Sequence, residues 1–157
     1  MNVKIIKPSE KYIEQMVLLA DEARQYHIDI LNGYFKSDAS SVERDVIRHS
    51  ISQCDKSINF IAIDDTDNVI GMIMGDVLYK PWLINSDIGH VGNFIVTAKA
   101  RAQGIGKKLM DAFISECKQR NISEVTLGVY NKNIGAYNFY NEYGFVPIVQ
   151  KMNLKLC

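Results

Sequence analysis

The sequence predicts an α/β fold of mixed (α+β) type, a central sheet flanked by helices. Three observations predict it. Short β-type runs and amphipathic helical stretches follow the order β-α-α-β-β-β-α-β-α-β. The runs Ile58–Ile63 and Val69–Leu78 flank the turn Asp64-Asp65-Thr66-Asp67-Asn68 and read as an antiparallel hairpin. The later strands are separated by helices long enough for crossovers, so the sheet should combine antiparallel and parallel neighbours. At 157 residues, 47% of them apolar, the chain suits a single domain spanning 1–157 with one sizeable core.

Each element has a local reason. Val3 to Ile6 is a short first strand. Pro8 and Ser9 open a helix with Ser9 as N-cap, and Ile13, Met16, Val17 and Ala20 recur on one face at spacings of three and four. Tyr26 to Ala39 reads as irregular, rich in aromatic and polar residues. Ser40 and Glu43 form a capping box for a second helix that contains Val42, Val46, Ile47 and Ile51. After the hairpin and a loop with Pro81 and Trp82, a strand runs from Ile88 to Val96. A helix from Gly104 to Arg120 follows, with Ile105, Leu109, Phe113 and Cys117 four apart on one face. Val125–Val129 is a strand and Ile134–Tyr143 a short helix ended by Gly144. Phe145–Leu156 returns as a sixth strand.

Composition excludes several functions. Lys plus Arg and Asp plus Glu are 18 each, so the net charge is zero; nothing points to nucleic acid. Cys54, Cys117 and Cys157 are distant, odd in number and contain no CxxC pair, which speaks against a disulfide framework and a zinc site. The aspartate-rich turn lacks the glycine and late glutamate of a calcium loop, so no metal is expected. Met1–Lys7 does not read as a signal peptide, and no apolar run approaches the roughly 18 residues of a spanning helix. A soluble, cytoplasmic protein with no membrane partner is expected.

The segment Arg101-Ala102-Gln103-Gly104-Ile105-Gly106-Lys107 lies between an apolar strand and an amphipathic helix. Glycines let a backbone approach a ligand closely, and the free N–H groups and dipole of a helix N-terminus attract phosphate. Arg101 and Lys107 add full charge. Two rival phosphate loops fail on spacing. A P-loop needs Ser or Thr after its lysine, where Lys108 stands, and a dinucleotide fingerprint needs a third glycine, where Leu109 stands.

Arg101 to Gly106 resembles the pyrophosphate signature of the GNAT acetyltransferase family: Arg or Gln, two residues, Gly, one residue, then Gly or Ala. Asn133, Ala136, Tyr140 and Gly144-Phe145 resemble a second block of the same family, N-x-x-A-x-x-x-Y-x-x-x-G-F. The blocks stand in the family's order with a strand between them, and the likeness covers about Ile58 to Leu156. The resemblance implies six to seven strands and about four helices. It also implies a splay between the fourth and fifth strands, the one ending at Val96 and the one over Val125–Val129. Acetyl-CoA would enter there as co-substrate, its pantetheine arm pairing with the backbone of Phe94, Ile95 and Val96.

Acetyl transfer to an amine needs an uncharged nucleophile, a stabilised carbonyl oxygen and a proton for the leaving thiolate. Tyr140 shares a helix face with Ala136 and matches the position where the family often has a tyrosine facing the CoA sulfur. Asn133 caps its helix, bonds pantetheine, or does both. His90, Gly92, Phe94 and Val96 alternate onto one strand face, and because some family members carry a histidine or carboxylate on this strand as base, the resemblance implies His90 in that role, with Asp76 and Asp87 as rivals; the strand carries no Glu. Tyr130, Tyr137, Phe139 and Tyr143 receive no role. Tyr26, His27, Asp29, Tyr34, Phe35, Asp38 and Trp82 lie where the family reads its substrate, and aromatic residues with aspartates suit a cationic amine. The expected function is N-acetylation of a primary amine, on a small molecule or a peptide, by a monomer or homodimer. The alternative is a CoA-binding sensor or scaffold without turnover.

Overall fold

The computed structural model describes residues 2–156. Strand β1 (Lys4–Ile6) leads through a 3₁₀ turn at Glu10–Tyr12 into α1 (Ile13–Leu31) and α2 (Ser40–Ser52). Strands β2 (Ser57–Ile63), β3 (Val69–Tyr79) and β4 (Asp87–Val96) follow. A second 3₁₀ turn at Ala98–Ala100 leads into α3 (Ile105–Gln119), β5 (Glu124–Leu127) and α4 (Ile134–Tyr143). The five strands lie in the order β1-β2-β3-β4-β5. The first three pairings are antiparallel and β4–β5 is parallel, so the sheet is mixed, as the hairpin-then-crossover order requires.

Two apolar layers sandwich it. On one face Leu109, Met110 and Phe113 of α3 pack on Ile58, Ile73 and Val91. On the other Ile13, Met16 and Val17 of α1 and Ile47 of α2 pack on Ile61, Met72, Met74 and Ile95. Removing a large side chain such as Met16 or Phe113 from water stabilises the fold by about 1.5–3 kcal/mol each. Among the described residues no helix is long and apolar enough to cross a membrane. Cys54 is exposed, Cys117 is buried with its thiol pushed up to about 11, and Cys157 lies outside the described residues.

Several expectations are corrected. Helix α1 continues into the stretch that reads as irregular as far as Leu31, supported by a Gln25–Asp29 contact of 2.8 Å one turn apart, and stops where Asn32 and Gly33 take positive φ; residues 32–39 are irregular as expected. Ser9 makes no side-chain cap. The capping box does not form. Ser40 Oγ donates instead to Asp21 at 2.8 Å and Glu43 turns to Arg24, because contacts with α1 outbid the local cap. Val42 and Val46 are exposed, and Ile47 is the buried residue of α2. The expected sixth strand does not form: Phe145–Leu156 has no regular structure and pairs with no strand among the described residues, and a strand needs a partner to satisfy its backbone.

Gly92 is the extra residue of a bulge on β4: Met74 faces Asn93 and the next β3 residue, Gly75, faces Val91, so Gly92 has no register partner. The bulge shifts the alternation of β4 by one. Phe94 and Val96 join the α3 layer while His90, opposite Asp76, lies on the other face.

Candidate active site

The site begins where β4 and β5 part. Their pairing covers Ile88–Val91 against Glu124–Leu127 and then stops, while β4 runs on to Val96. Gly92, Asn93, Phe94 and Ile95 form one wall of a cavity of about 190 Å³. Ala20, Ala23, Arg24 and His27 of α1, with Phe35 and Glu43, form the second wall; Gly128, Val129, Tyr130, Asn133, Ala136 and Tyr140 form the third.

Tyr140 is nine-tenths buried, ringed by Phe94, Phe139 and Phe145 at centroid distances of 6.0, 5.7 and 5.9 Å. Among the described residues its hydroxyl has no hydrogen-bond partner, yet no buried side-chain polar atom is left unsatisfied. The hydroxyl therefore reaches the cavity. Burial pushes it up to about 12, so it stays protonated at neutral pH. Asn133 is the N-cap of α4, its Oδ1 accepting from the Ala136 N–H at 3.2 Å, and it faces the same cavity.

The expected cradle is the N-terminus of α3. Gly104 is its N-cap at φ 74, Ala102 also has positive φ at 60, and no side chain caps the helix. The first-turn N–H groups of Ile105, Gly106 and Lys107 thus meet no side-chain acceptor, which suits an anion. Ile105 is buried and offers only its backbone. A Cβ on Gly106 would stand 3.3 Å from the Phe94 ring and 3.5 Å from Phe139, so this glycine serves the close packing of α3 on β4. Arg101 folds back, Nε donating to the Val96 carbonyl at 3.0 Å, and Gln103 reaches the Lys99 carbonyl at 3.3 Å. Lys107 pairs with Asp111 at 2.9 Å along the helix, and Asp111 also accepts from Tyr143 at 2.6 Å.

His90 lies outside the cavity lining, with Nδ1 3.1 Å from Thr126 Oγ1. The bulge at Gly92 overturns the expectation that it shares a face with Phe94. The imidazole in the lining is His27, stacked on Phe35 at 5.5 Å and edge-on to Tyr130 at 5.3 Å. Burial lowers its pKa, so it is uncharged at neutral pH. Trp82 is three-quarters exposed and not part of the lining.

Three features escape sequence reading. Arg24, 7% exposed, is held by Asp21 and by Glu43 at 3.5 Å, a cluster with one net negative charge of which Arg24 and Glu43 line the cavity. Tyr130 closes the aromatic end with His27, Tyr34 and Phe35. Glu22 pins the β4–α3 connection, accepting from Thr97 Oγ1 and the Ala98 N–H, each at 2.8 Å. The spacing Asp21–Arg24, one helical turn, is the one signal a sequence offers for any of these.

Residues 22–145 match the acetyltransferase (GNAT) family. The chain belongs to that family. It is 25% identical to N-alpha-acetyltransferase 30 of Schizosaccharomyces pombe over 130 residues, 83% of this chain and 84% of that one. In three dimensions it resembles the BH1408 protein of Bacillus halodurans, solved as an F44R mutant, with a TM-score of 0.87, 21% identity and full coverage of both chains. It also resembles AAC(6')-Iy in complex with the bisubstrate analog CoA-S-monomethyl-acetylneamine (TM-score 0.76, 15% identity, 100% and 99% covered). The mixed sheet with flanking helices is the GNAT fold.

Proposed function

We propose that this GNAT protein transfers an acetyl group directly from acetyl-CoA to a primary amine. The observation that carries the reading is the unpartnered Tyr140 hydroxyl, facing a cavity that opens where β4 leaves β5. Gly92–Val96 have no β5 partner, and backbone freed at such a splay suits an extended pantetheine arm. The side-chain-free N-terminus of α3, with Arg101 and Lys107 beside it, suits the pyrophosphate. In the relative bound to a bisubstrate analog, the analog carries CoA.

In the reaction the amine nitrogen attacks the thioester carbonyl, the new C–N bond forms and the C–S bond breaks. An acceptor that arrives as an ammonium gives up two protons in all, one to solvent before attack and one as the C–N bond forms, and the sulfur gains one. Tyr140 donates its hydrogen bond to the departing sulfur, and His27, uncharged at neutral pH, accepts the proton from the amine side. The net negative charge of Asp21, Arg24 and Glu43, with the aromatic rings of His27, Phe35 and Tyr130, favours an acceptor that arrives as a cation. One relative's name denotes protein N-termini and another's analog an aminoglycoside; both are cationic amines. An amine panel read by release of free thiol, with the mass of each product, tests this. Acetyl-CoA binding without thiol release from any amine would instead favour a sensor.

The two imidazoles give opposite expectations. A neutral His27 serves as acceptor above its pKa and loses that role as pH falls through it, below about 6.5. His27→Gln should therefore remove the acidic limb of the single-turnover pH profile, whereas His90→Gln should leave the limb in place. A limb that disappears with His90→Gln would restore His90 as the base.

A further inference from the structure

The Val96 carbonyl stands on the splayed edge of β4, and it already has a partner. The Thr97 N–H donates to the Ile70 carbonyl beside it at 3.0 Å. In a trans peptide the C=O points opposite to the N–H. The Val96 C=O of that same peptide therefore points away from β3, to the side where β5 pairs with Ile88–Val91 and then ends. Arg101 reaches back along the chain and places Nε 3.0 Å from this oxygen. Its Nη2 lies 4.0 Å from Glu22 Oε1.

Glu22 is itself held in place. Its Oε2 accepts from Thr97 Oγ1 and its Oε1 from the Ala98 N–H, each at 2.8 Å. A carboxylate on α1 is thus fixed beside the β4–α3 connection and faces the guanidinium. Arg101 opens the short segment that ends at Gly104, the N-cap of α3, and Ala102 turns the chain between them at φ 60. The same cation therefore has two destinations: the Val96 carbonyl with Glu22, or an anion at the α3 N-terminus. A phosphate draws a guanidinium more strongly than a neutral carbonyl does, because both partners of the bond are then charged. Lys107 is engaged elsewhere, paired with Asp111 at 2.9 Å along α3.

We propose that Arg101 is a specificity-determining residue for the acetyl donor. It covers the Val96 carbonyl against thioesters that lack a diphosphate, and the diphosphate of acetyl-CoA draws it off so that the pantetheine arm can pair with β4. The inference rests on the acetyl-CoA reading above and goes beyond it, since it makes one end of the cofactor a condition for seating the other. A donor that ends at pantetheine has to displace the guanidinium and offers it no anion in return. Glu22 is a positioning residue whose charge sets how firmly Arg101 is held. The two side chains are 53% and 38% exposed, and a pair exposed to this degree contributes modestly, so the cover is light enough for a ligand to move.

The test is the affinity of two donors for the full chain, acetyl-CoA by calorimetry and S-acetylpantetheine by nuclear magnetic resonance titration. Arg101→Met keeps an aliphatic stem and removes every donor group. It should weaken acetyl-CoA about tenfold or more, the value of a hydrogen bond to a charged group, and tighten S-acetylpantetheine about two- to tenfold, because no bond to Val96 has to be broken first. Glu22→Gln keeps a partner for Thr97 and for the Ala98 N–H. It should tighten both donors by up to about fivefold, an effect absent in an Arg101→Met background. If Arg101→Met weakens both donors, Arg101 is a brace; if it leaves S-acetylpantetheine unchanged, Arg101 is a plain phosphate contact. Either result would overturn the proposal. A Glu22→Gln gain that persists without Arg101 is charge repulsion and removes Glu22 from its assigned part. The Arg101 Nε–H resonance of the unmodified chain gives an answer that needs no variant: it should shift on saturation with acetyl-CoA, and a signal that stays in place overturns the proposal. An unmodified chain that binds no acetyl-CoA overturns the acetyl-transfer reading as well, whereas one that binds it but shows the wrong signs overturns this inference alone.

Discussion

Tyr140→Phe is expected to slow single-turnover acetyl transfer by about 10²-fold, within the range of general acid–base groups, while leaving the fold and acetyl-CoA affinity nearly unchanged. The ring packs among Phe94, Phe139 and Phe145, and phenylalanine keeps those contacts. Deleting the hydroxyl leaves no partner stranded, because the group bonds to no other described residue. The loss should therefore fall on chemistry rather than on stability, which separates this variant from a core mutation. Burial holds the hydroxyl's pKa near 12, so its contribution should be flat through neutral pH, in contrast with the acidic limb assigned to His27. A more acidic leaving thiol needs the donor less, so the ratio of wild-type to variant rate should shrink with such an analogue. Single-turnover kinetics separate the chemical step from product release. A variant that transfers acetyl at the unmodified rate would take Tyr140 out of the reaction and leave water as the acid.

What the sequence makes legible is what neighbours along the chain decide. The helix over Ile105–Gln119 and its glycine N-cap follow from a four-residue apolar repeat and from Gly104, and the helix over Ile134–Tyr143 from Asn133 and Gly144 at its two ends. The features that were not legible depend on residues far apart in the chain. The bulge at Gly92 arises from how β3 meets β4, and no local pattern in Asp87–Val96 announces it; its effect is to move His90 to the face opposite Phe94. Ser40 and Glu43 carry a correct capping-box spacing, but Asp21 and Arg24 on the neighbouring helix compete for the same side chains and hold them. The segment after Phe145 has strand periodicity but pairs with no strand among the described residues, and periodicity alone does not supply the neighbouring edge that a strand needs. The cavity shows the same division. Phe94, Ile95, Asn133, Ala136 and Tyr140 belong to recognisable blocks, whereas Arg24, Glu43 and Tyr130 reach it only through the packing of α1, α2 and the β5–α4 connection.

The two glycines of the α3 entrance should separate cofactor affinity from stability. Gly104 sits at φ 74 with open space where a Cβ would point, so a side chain there meets no clash and only the backbone resists. The left-handed conformation costs an ordinary residue about 1–2 kcal/mol. Gly104→Val relieves that strain by turning the peptide, which re-aims the first N–H groups of α3, and acetyl-CoA affinity should fall about tenfold, equivalent to about 1.4 kcal/mol. Gly104→Asn tolerates the conformation and should keep most of the affinity. Gly106→Val acts differently: its Cβ already approaches the Phe94 ring to 3.3 Å, so two further methyls force Phe94 and Phe139 aside. Such overpacking costs about 1–3 kcal/mol, and at about 2–4 °C per kcal/mol for a chain of this size the melting temperature should drop visibly without ligand. Melting each variant with and without acetyl-CoA reads both quantities, because a ligand that binds the folded state raises the midpoint by mass action. Gly104→Val should show the smaller ligand-induced rise and Gly106→Val the lower starting midpoint. An acetyl-CoA shift in Gly104→Val equal to that of the unmodified chain, or an equal shift from pantetheine alone, would mean that the α3 N-terminus does not hold the pyrophosphate.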